Sequence, residues 1–512
     1  MKSAVRLCVW LCFGTILLGT LSACQSTGIS NETSEPSSEP ALTLQADGET
    51  TAETLPDTPP PPGEDYDLST NLHDRLPRMD IRTANGKMDF ATAPNRTNKW
   101  DYTDCTVTVT NCDAKYRLDN IDAGIKVRGN YTADYEKKPF RIKFDVKQGM
   151  LGLNDGAKCK SWVLLADWKD SSMLRNAVAC YLGNALLGSD GYYCSDFCNV
   201  ELYLNGQYWG MYLLVEQQQV NDERVDVYES EGRNRDTDIG YLVEYDAYFH
   251  EEPALNQFTF KRDYPTLRGM DGQTVRCGQK GYSIKSDIYH NDQKEFIAAY
   301  IENVFQICYN AAYKDQYYSF NSDFTAIRKG GAKSAEEAIT AVLDVDSLVD
   351  MYILQEIACD YDIAWSSFFM SVDMSEGGSK KLVFEAPWDF DSAFGLKDAC
   401  RNGNGYFAAN KDNPWLLLLI HEDWFMDRVK AKWQDASDAG VFDGALDMIR
   451  AYQRTYADEY AENYRRWPNL GMNVGGELLP EAQGFRTQSE AADHLYQWLR
   501  VRLRYLDKQW GK

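Results

Sequence analysis

The 512-residue chain carries a formal net charge of −24 and is 44% hydrophobic and 13% aromatic. That length suits one large or two ordinary domains, and 32 Tyr with 13 Trp supply a substantial core. The acidity excludes a general nucleic-acid binder, which needs a basic stripe, and fits a solvated surface or a protein that handles basic partners.

The chain opens with Lys2 and Arg6 ahead of an apolar run from Leu7 to Leu21. This is a secretory-signal pattern, too short to favour a membrane span. It ends in Leu21-Ser22-Ala23-Cys24, which resembles the bacterial lipobox. That resemblance implies cleavage before Cys24 and a diacylglycerol on its sulfur. The mature protein is then expected to be extracytoplasmic, lipid-anchored to the bacterial cell membrane without spanning it. From Gln25 to about Asp67, Ser, Thr, Glu and Pro dominate, with Pro59 to Pro62 near the end. Such composition predicts an extended tether. Residues 1–23 read as signal peptide, 24–66 as lipidated cysteine and tether, and 67–512 as the folded region. Of 13 cysteines, ten remain once Cys8, Cys12 and Cys24 are set aside. Cys105 with Cys112, and Cys194 with Cys198, are spaced as local disulfide candidates in an exported protein. Without a CxxC pair and with five His, a zinc site is not expected.

Thr106 to Thr110 alternates as a strand. The stretch Gly124 to Asp145, GIKVRGNYTADYEKKPFRIKFD, predicts a hairpin. Ile125, Val127, Phe140, Ile142 and Phe144 form its apolar face, and Gly129-Asn130 breaks it. Arg128, Lys138, Arg141 and Lys143 set four cations around one glycine-containing loop, a pattern suited to polyphosphate. A solvated strand face, the commoner origin of such alternation, explains it too. Ser161 to Leu165 is a strand feeding a helix over 173–187. Arg175 in that helix's first turn opposes the helix dipole, so a contact elsewhere is expected of it. Asn199 to Gln217 reads as a hairpin turning at Asn205-Gly206. Glu216 closes it amid Leu213, Leu214 and Val215 and needs a partner, which the basic hairpin could supply. Asp238 to Asp246 is a further strand, and 287–310 and 345–359 are helices.

The second helix delivers Asp360-Tyr361-Asp362. A strand at 368–370, a turn at 373–379 and a strand from Leu382 follow. Lys381 to Gly395 reads KLVFEAPWDFDSAFG. Pro387 ends its strand, and Asp389 and Asp391 then lie among Trp388, Phe390 and Phe394. Carboxylates among aromatics at a strand end need compensation, which Mg2+ or Mn2+ provides. Two turn or N-capping aspartates explain the same pattern. A hairpin between the two acidic segments would bring Asp362 to face Asp389. Helices at 424–435, 446–467 and 488–510 close the chain. The reading is an α+β fold with mostly antiparallel sheets and a helical C-terminal part.

Seven segments in order resemble the CotH kinase family, the atypical kinases named after the spore-coat protein CotH. They are LPRMDIRT, IKVRGNY with KKPFRIKF, WVLLADWKDSSMLRNAVA, VELYLNGQYWGMYLLVEQ, DSLVDMYILQEIACDYD, APWDFDSAFG and WLRVRLRYLD. They run from about Leu76 to Trp510. The resemblance implies a divergent protein-kinase-like fold, ATP and Mg2+ or Mn2+ as cofactors, and phosphorylation of Ser or Thr in a protein partner. It assigns Asp362 as catalytic base or hydroxyl-orienting group and Asp389 as metal aspartate, with Asp391 a second or supporting ligand. Arg128, Lys138, Arg141 and Lys143 fall in the nucleotide segment. Arg175 is expected to reach phosphate, and Glu216 to hold a cation as the kinase Lys–Glu pair does. One departure is Ile363-Ala364-Trp365-Ser366-Ser367, where a serine or water stands in for the usual metal-holding asparagine. Two other classes compete with an active kinase: a catalytically silent surface binding or adhesion module, and a two-carboxylate hydrolase built on Asp362 and Asp389.

Overall fold

Alternating apolar residues build the first half of the folded region into a closed sheet. Its strands are β1 (Arg78–Thr83), β2 (Thr103–Thr110), β3 (Leu118–Val127), β4 (Phe140–Gln148), β5 (Cys159–Leu165), β6 (Phe197–Leu204) and β7 (Gln207–Glu216). In this computed structural model, residues 75–93, 100–230, 232–278, 280–397 and 401–511 are described. The signal segment, Cys24 and the tether lie outside them. The strand order is β1-β2-β3-β4-β5-β7-β6. The circle closes because β1 also pairs with β6, in parallel, from Arg78 against Glu201 to Ile81 against Leu204. Met79, Ile81, Val107, Ile125, Ile142, Trp162, Val200 and Leu214 fill the interior. They are the inward half of each alternation.

β5 and β7 lose the alternation because both of their faces are covered. Val163, Leu165, Leu213 and Val215 face outward into a second core shared with Leu174 and with Val178 and Leu182 of the helix Arg175–Leu186. The β6–β7 turn has Asn205 at φ 49° and Gly206 at φ 81°, the two positive angles that a type I′ hairpin turn demands.

A second sheet has five strands, all paired antiparallel. At its centre β8 (Gly240–Asp246) lies between Phe368–Asp373 and Gly281–Ile284, with Val383–Phe384 and Gln257–Phe258 at the edges. The helix Val345–Ala358 is buried along nearly its whole length, its polar Ser347, Asp350, Gln355 and Glu356 included. The C-terminal part is helical: Asp423–Asp438, Val441–Thr455, Ala457–Arg466 and Gln488–Trp510. The single helix anticipated over 446–467 is two, broken at Tyr456, whose φ of −110° and ψ of 27° leave the helical region. The α+β class with a helical C-terminal part is thus what the chain forms. Among the described residues no helix is long and apolar enough to cross a membrane.

The two local disulfides expected from spacing are not formed: Cys105, Cys112, Cys194 and Cys198 are free thiols. The cause is facing. Cys198 points into the barrel core, whereas Cys194 packs outside it against Gly183, where an added Cβ would come within 2.5 Å of its sulfur. Cys105 is likewise turned into the barrel, 5% exposed.

Candidate active site

A cleft of about 620 Å³ opens where the barrel meets the second sheet, and Arg128, Arg141, Lys169, Asp362, Asp389 and Asp391 all line it. The barrel supplies the cations. Arg128 follows β3 directly, and its N–H donates to Pro139 O at 3.0 Å, pinching the 129–138 loop shut. Gly129 begins that loop at φ 88°, and a Cβ there would stand 2.2 Å from Thr132 Oγ1. Glycine is therefore needed for the loop to fold back tightly. Arg141 extends from the outer face of β4 and donates to Ser161 Oγ at 3.1 Å.

Four residues expected in the nucleotide site lie elsewhere. Lys138 turns under its own loop, where its ammonium donates to Ala133 O at 2.5 Å and Tyr135 O at 3.0 Å. Lys143 shares a strand face with Arg141, but the curvature of the closed sheet carries it into a separate hollow beside Tyr102 and Lys160. Glu216 holds none of the hairpin cations. Its partner is Arg224 at 3.0 Å, and both side chains are fully buried. Arg175 does not reach the cleft either. It pairs with Asp170 and donates to Ala393 O at 3.1 Å and Phe394 O at 3.4 Å. It thereby clamps the loop that carries Asp389 and Asp391, and is a positioning residue.

The second sheet and its loops supply the acids. Asp360 follows Cys359, the C-cap of the helix Val345–Ala358, and caps the turn Tyr361–Ala364, accepting from Asp362 N at 3.1 Å. Its other oxygen has no hydrogen-bond partner, and burial pushes its carboxyl far above the usual range, with Asp362 adding to the effect. The cap aims Asp362 into the cleft, where Lys397 Nζ lies 3.5 Å from its Oδ2 and 2.7 Å from Glu477. The loop after Pro387 is pinned from the other side, because Asn176 Oδ1 accepts from Phe390 N at 2.9 Å. Asp389 takes φ 70° and its neighbour Ser367 φ 65°. Left-handed non-glycine residues of this kind cost of order 1 kcal/mol or more and cluster at functional sites.

Burial, reinforced by Asp391, lifts the Asp389 carboxyl to about 7 against the opposing pull of Arg128 and Lys169. Among the described residues it has no ion pair within 4 Å, and its hydrogen bond is from Ser367 Oγ at 3.5 Å. A buried carboxylate this poorly compensated is one that a cation would stabilise. Asp391 is better served, with Lys169 Nζ 3.1 Å away. Among the described residues no group of three or more His, Cys, Asp or Glu is arranged to hold a metal. The donor set therefore fits an ion that takes its remaining ligands from phosphate oxygens and water, as Mg2+ commonly does, and it does not fit a closed all-protein cage.

Sequence reasoning missed Lys169 and Lys397, and left open which serine of Ser366-Ser367 reaches Asp389; it is Ser367. Lys169 sits in Ala166-Asp167-Trp168-Lys169-Asp170, at the end of an apolar strand, the same setting that singled out Asp389. Burial alone would depress its ammonium, but Asp391, Tyr135, Asp362 and Asp389 together hold it above its ordinary value. It also donates to Ser392 Oγ at 2.7 Å. Lys169→Met should leave Asp391, 8% exposed, in a buried pocket without its cation. The expected result is a loss of about 3 kcal/mol, read as a lower urea midpoint at unchanged slope.

In class, this is an α+β protein in which a closed barrel and an antiparallel sheet meet at a cleft of mixed charge. A family model described as CotH kinase protein matches residues 125–506, and the chain belongs to that family. No curated protein matches it.

Proposed function

We propose that the chain is an atypical kinase that transfers the γ-phosphoryl group of ATP to Ser or Thr of exported or cell-surface proteins, on a divergent kinase-like fold. It would work outside the cytoplasm, anchored to the cell membrane through lipidated Cys24. The observation that carries the reading is the convergence of three carboxylates, Asp362, Asp389 and Asp391, with three cations, Arg128, Arg141 and Lys169, in one cleft. Phosphoryl transfer asks for this combination, because positioning and charge neutralisation supply most of the catalysis.

Arg128 and Arg141 would take the phosphate oxygens, where planar guanidinium groups favour bidentate contact. Asp389 and Asp391 would hold Mg2+ or Mn2+, with Ser367 in the place of the usual asparagine. Such an ion, when bound, neutralises charge on the transferring phosphate and the leaving diphosphate. Asp362 accepts the proton of the acceptor hydroxyl and orients its lone pair, and Lys397 keeps that carboxylate from turning away. The cations in the cleft disfavour the two-carboxylate hydrolase.

The test is transfer of label from γ-labelled ATP in the presence of Mn2+. Asp362→Asn is expected to lower kcat by about 10²–10⁴ while ATP affinity stays within about twofold. A wild-type chain that binds no nucleotide, or an Asp362→Asn variant as fast as wild type, overturns the reading.

A further inference from the structure

Asp362 stands at the junction of two cavities. Behind the turn Tyr361–Ala364 lies a second one, of about 560 Å³, lined by Ala247, Phe249, Ala364, Lys280, Lys411 and Asp412. It shares Tyr361, Asp362 and Trp365 with the first cleft. Arg128, Arg141, Lys169 and the metal aspartates line only the first. The second has apolar walls in Ala247, Phe249, Ala364 and Trp365, while Lys280 is paired with Asp412 at 3.1 Å and donates to Ala364 O, and Lys411 lies over the Tyr361 ring at 4.2 Å. Its volume is that of an ordinary ligand pocket.

Two exposed aromatic side chains flank Asp362. Tyr361 and Trp365 are 39% and 50% exposed. Of the seven large apolar side chains that stand exposed among the described residues, four (Trp100, Tyr131, Tyr361 and Trp365) line the first cleft. Concentrated exposed apolar surface of this kind marks an interaction site. A nucleotide does not need it on both sides of the aspartate, but a polypeptide crossing from one cavity to the other does.

We propose that the second cavity seats the acceptor polypeptide, with a large apolar side chain one or two residues from the acceptor Ser or Thr held between Phe249 and Trp365. The inference rests on the phosphotransfer reading and deepens it by naming the substrate class. In the step it serves, the acceptor oxygen forms a bond to the γ-phosphorus. The bond from that phosphorus to the bridging oxygen breaks, its electron pair leaves with ADP, and the hydroxyl proton passes to Asp362. Seating the neighbouring side chain at Trp365 fixes the hydroxyl against Asp362 while the basic half of the site keeps the nucleotide.

The test uses the full chain in detergent, ATP with Mn2+, and synthetic Ser peptides that differ only in the residues flanking the acceptor: Phe, Leu, Ala, Lys or Asp. Burial of a Leu or Phe side chain predicts a preference of about 10–100-fold in kcat/KM over Ala and Asp. Phe249→Ser should abolish that preference while ATP affinity and melting temperature stay near wild type. Ala247→Asp, which places a carboxylate in the wall, should shift the preference toward Lys, a gain that a damaged fold cannot mimic. If peptides are phosphorylated with no flanking preference, or the preference survives both variants, the acceptor assignment is wrong and the kinase reading stands. If the wild-type chain neither binds ATP nor labels any peptide, the kinase reading fails and takes this inference with it.

Discussion

Asp389→Asn should abolish phosphoryl transfer and at the same time leave the metal-free protein as stable as wild type or more so. The two effects share one cause. Burial lifts the Asp389 carboxyl to about 7, well above the roughly 3.9 of an unfolded aspartate. The folded state therefore binds the proton more tightly than the unfolded one. Below pH 4 both states are protonated and Asp389 costs nothing. As pH rises from 4 toward 7 the unfolded state ionises first, and stability falls by up to a few kcal/mol before levelling above pH 7. Asparagine, isosteric and neutral, avoids that cost. A divalent cation reverses the sign, since it binds the ionised carboxylate and competes with the proton. Mn2+ should thus raise the melting temperature of the wild-type chain markedly at pH 8 and much less at pH 6, and should do neither in Asp389→Asn. Loss of the ligand should lower kcat/KM by at least about 10³, roughly 4 kcal/mol of transition-state stabilisation. Asp391→Asn is the control, because Asp391 already has Lys169 at 3.1 Å. Its substitution should lower stability where that of Asp389 does not. A Mn2+-dependent thermal shift that persists in Asp389→Asn sinks the metal assignment.

The pattern of these effects also marks where the sequence could be read and where it could not. Local devices were legible: the Asn205-Gly206 turn and the alternation of β3 and β4. Each is written within a few residues and obeys one physical rule. The strand before Asp389 was placed correctly but ends at Phe384, not at Pro387, because Ala386 at φ 57° has already turned the chain. Closure of the barrel was not legible, because the parallel β1–β6 pair joins Arg78 to Glu201 across the whole barrel and leaves no periodic trace in either strand. That closure also separated Arg141 from Lys143, which a flat sheet would have kept on one binding face. Buried ion pairs misled in a consistent way. Glu216 was correctly seen to need a cation, but Arg224, only eight residues on, lies beyond the strand in a stretch with no pattern of its own. Arg175 was correctly seen to serve a remote contact, but that contact is the backbone of the Asp391 loop and not a phosphate. Charge out of place in a sequence indicates that a partner exists, and only packing chooses between a ligand and another part of the chain.

Arg502→Met tests the same distinction at the other end of the chain, where the largest loss of stability is expected. Arg502 and Glu356 are both fully buried, with Nη2 2.6 Å from Oε2. Arg502 Nε also donates to Glu356 O at 2.7 Å, and Nη1 to Gly403 O at 3.3 Å. Glu356 in turn accepts from Phe407 N and Ala409 N, each at 2.8 Å. The pair ties the helix Gln488–Trp510 to the helix Val345–Ala358 and to the loop between them. Methionine matches the aliphatic length of arginine but leaves the Glu356 carboxylate buried with two amide donors and no cation. The expected cost is about 3–5 kcal/mol, a fall of roughly 3–6 °C in melting temperature for a domain of this size. Adding Glu356→Leu should recover only part of it. The uncompensated charge goes, but the amides of Phe407 and Ala409 then lose their acceptor, at about 1–3 kcal/mol each. Because the helix Val345–Ala358 leads directly into Asp360 and Asp362, Arg502→Met should lower phosphoryl transfer steeply with temperature while the rate at low temperature stays close to wild type. A variant that melts like wild type, or a double variant fully restored, would show that this pair is not what fixes the catalytic turn to the C-terminal helices.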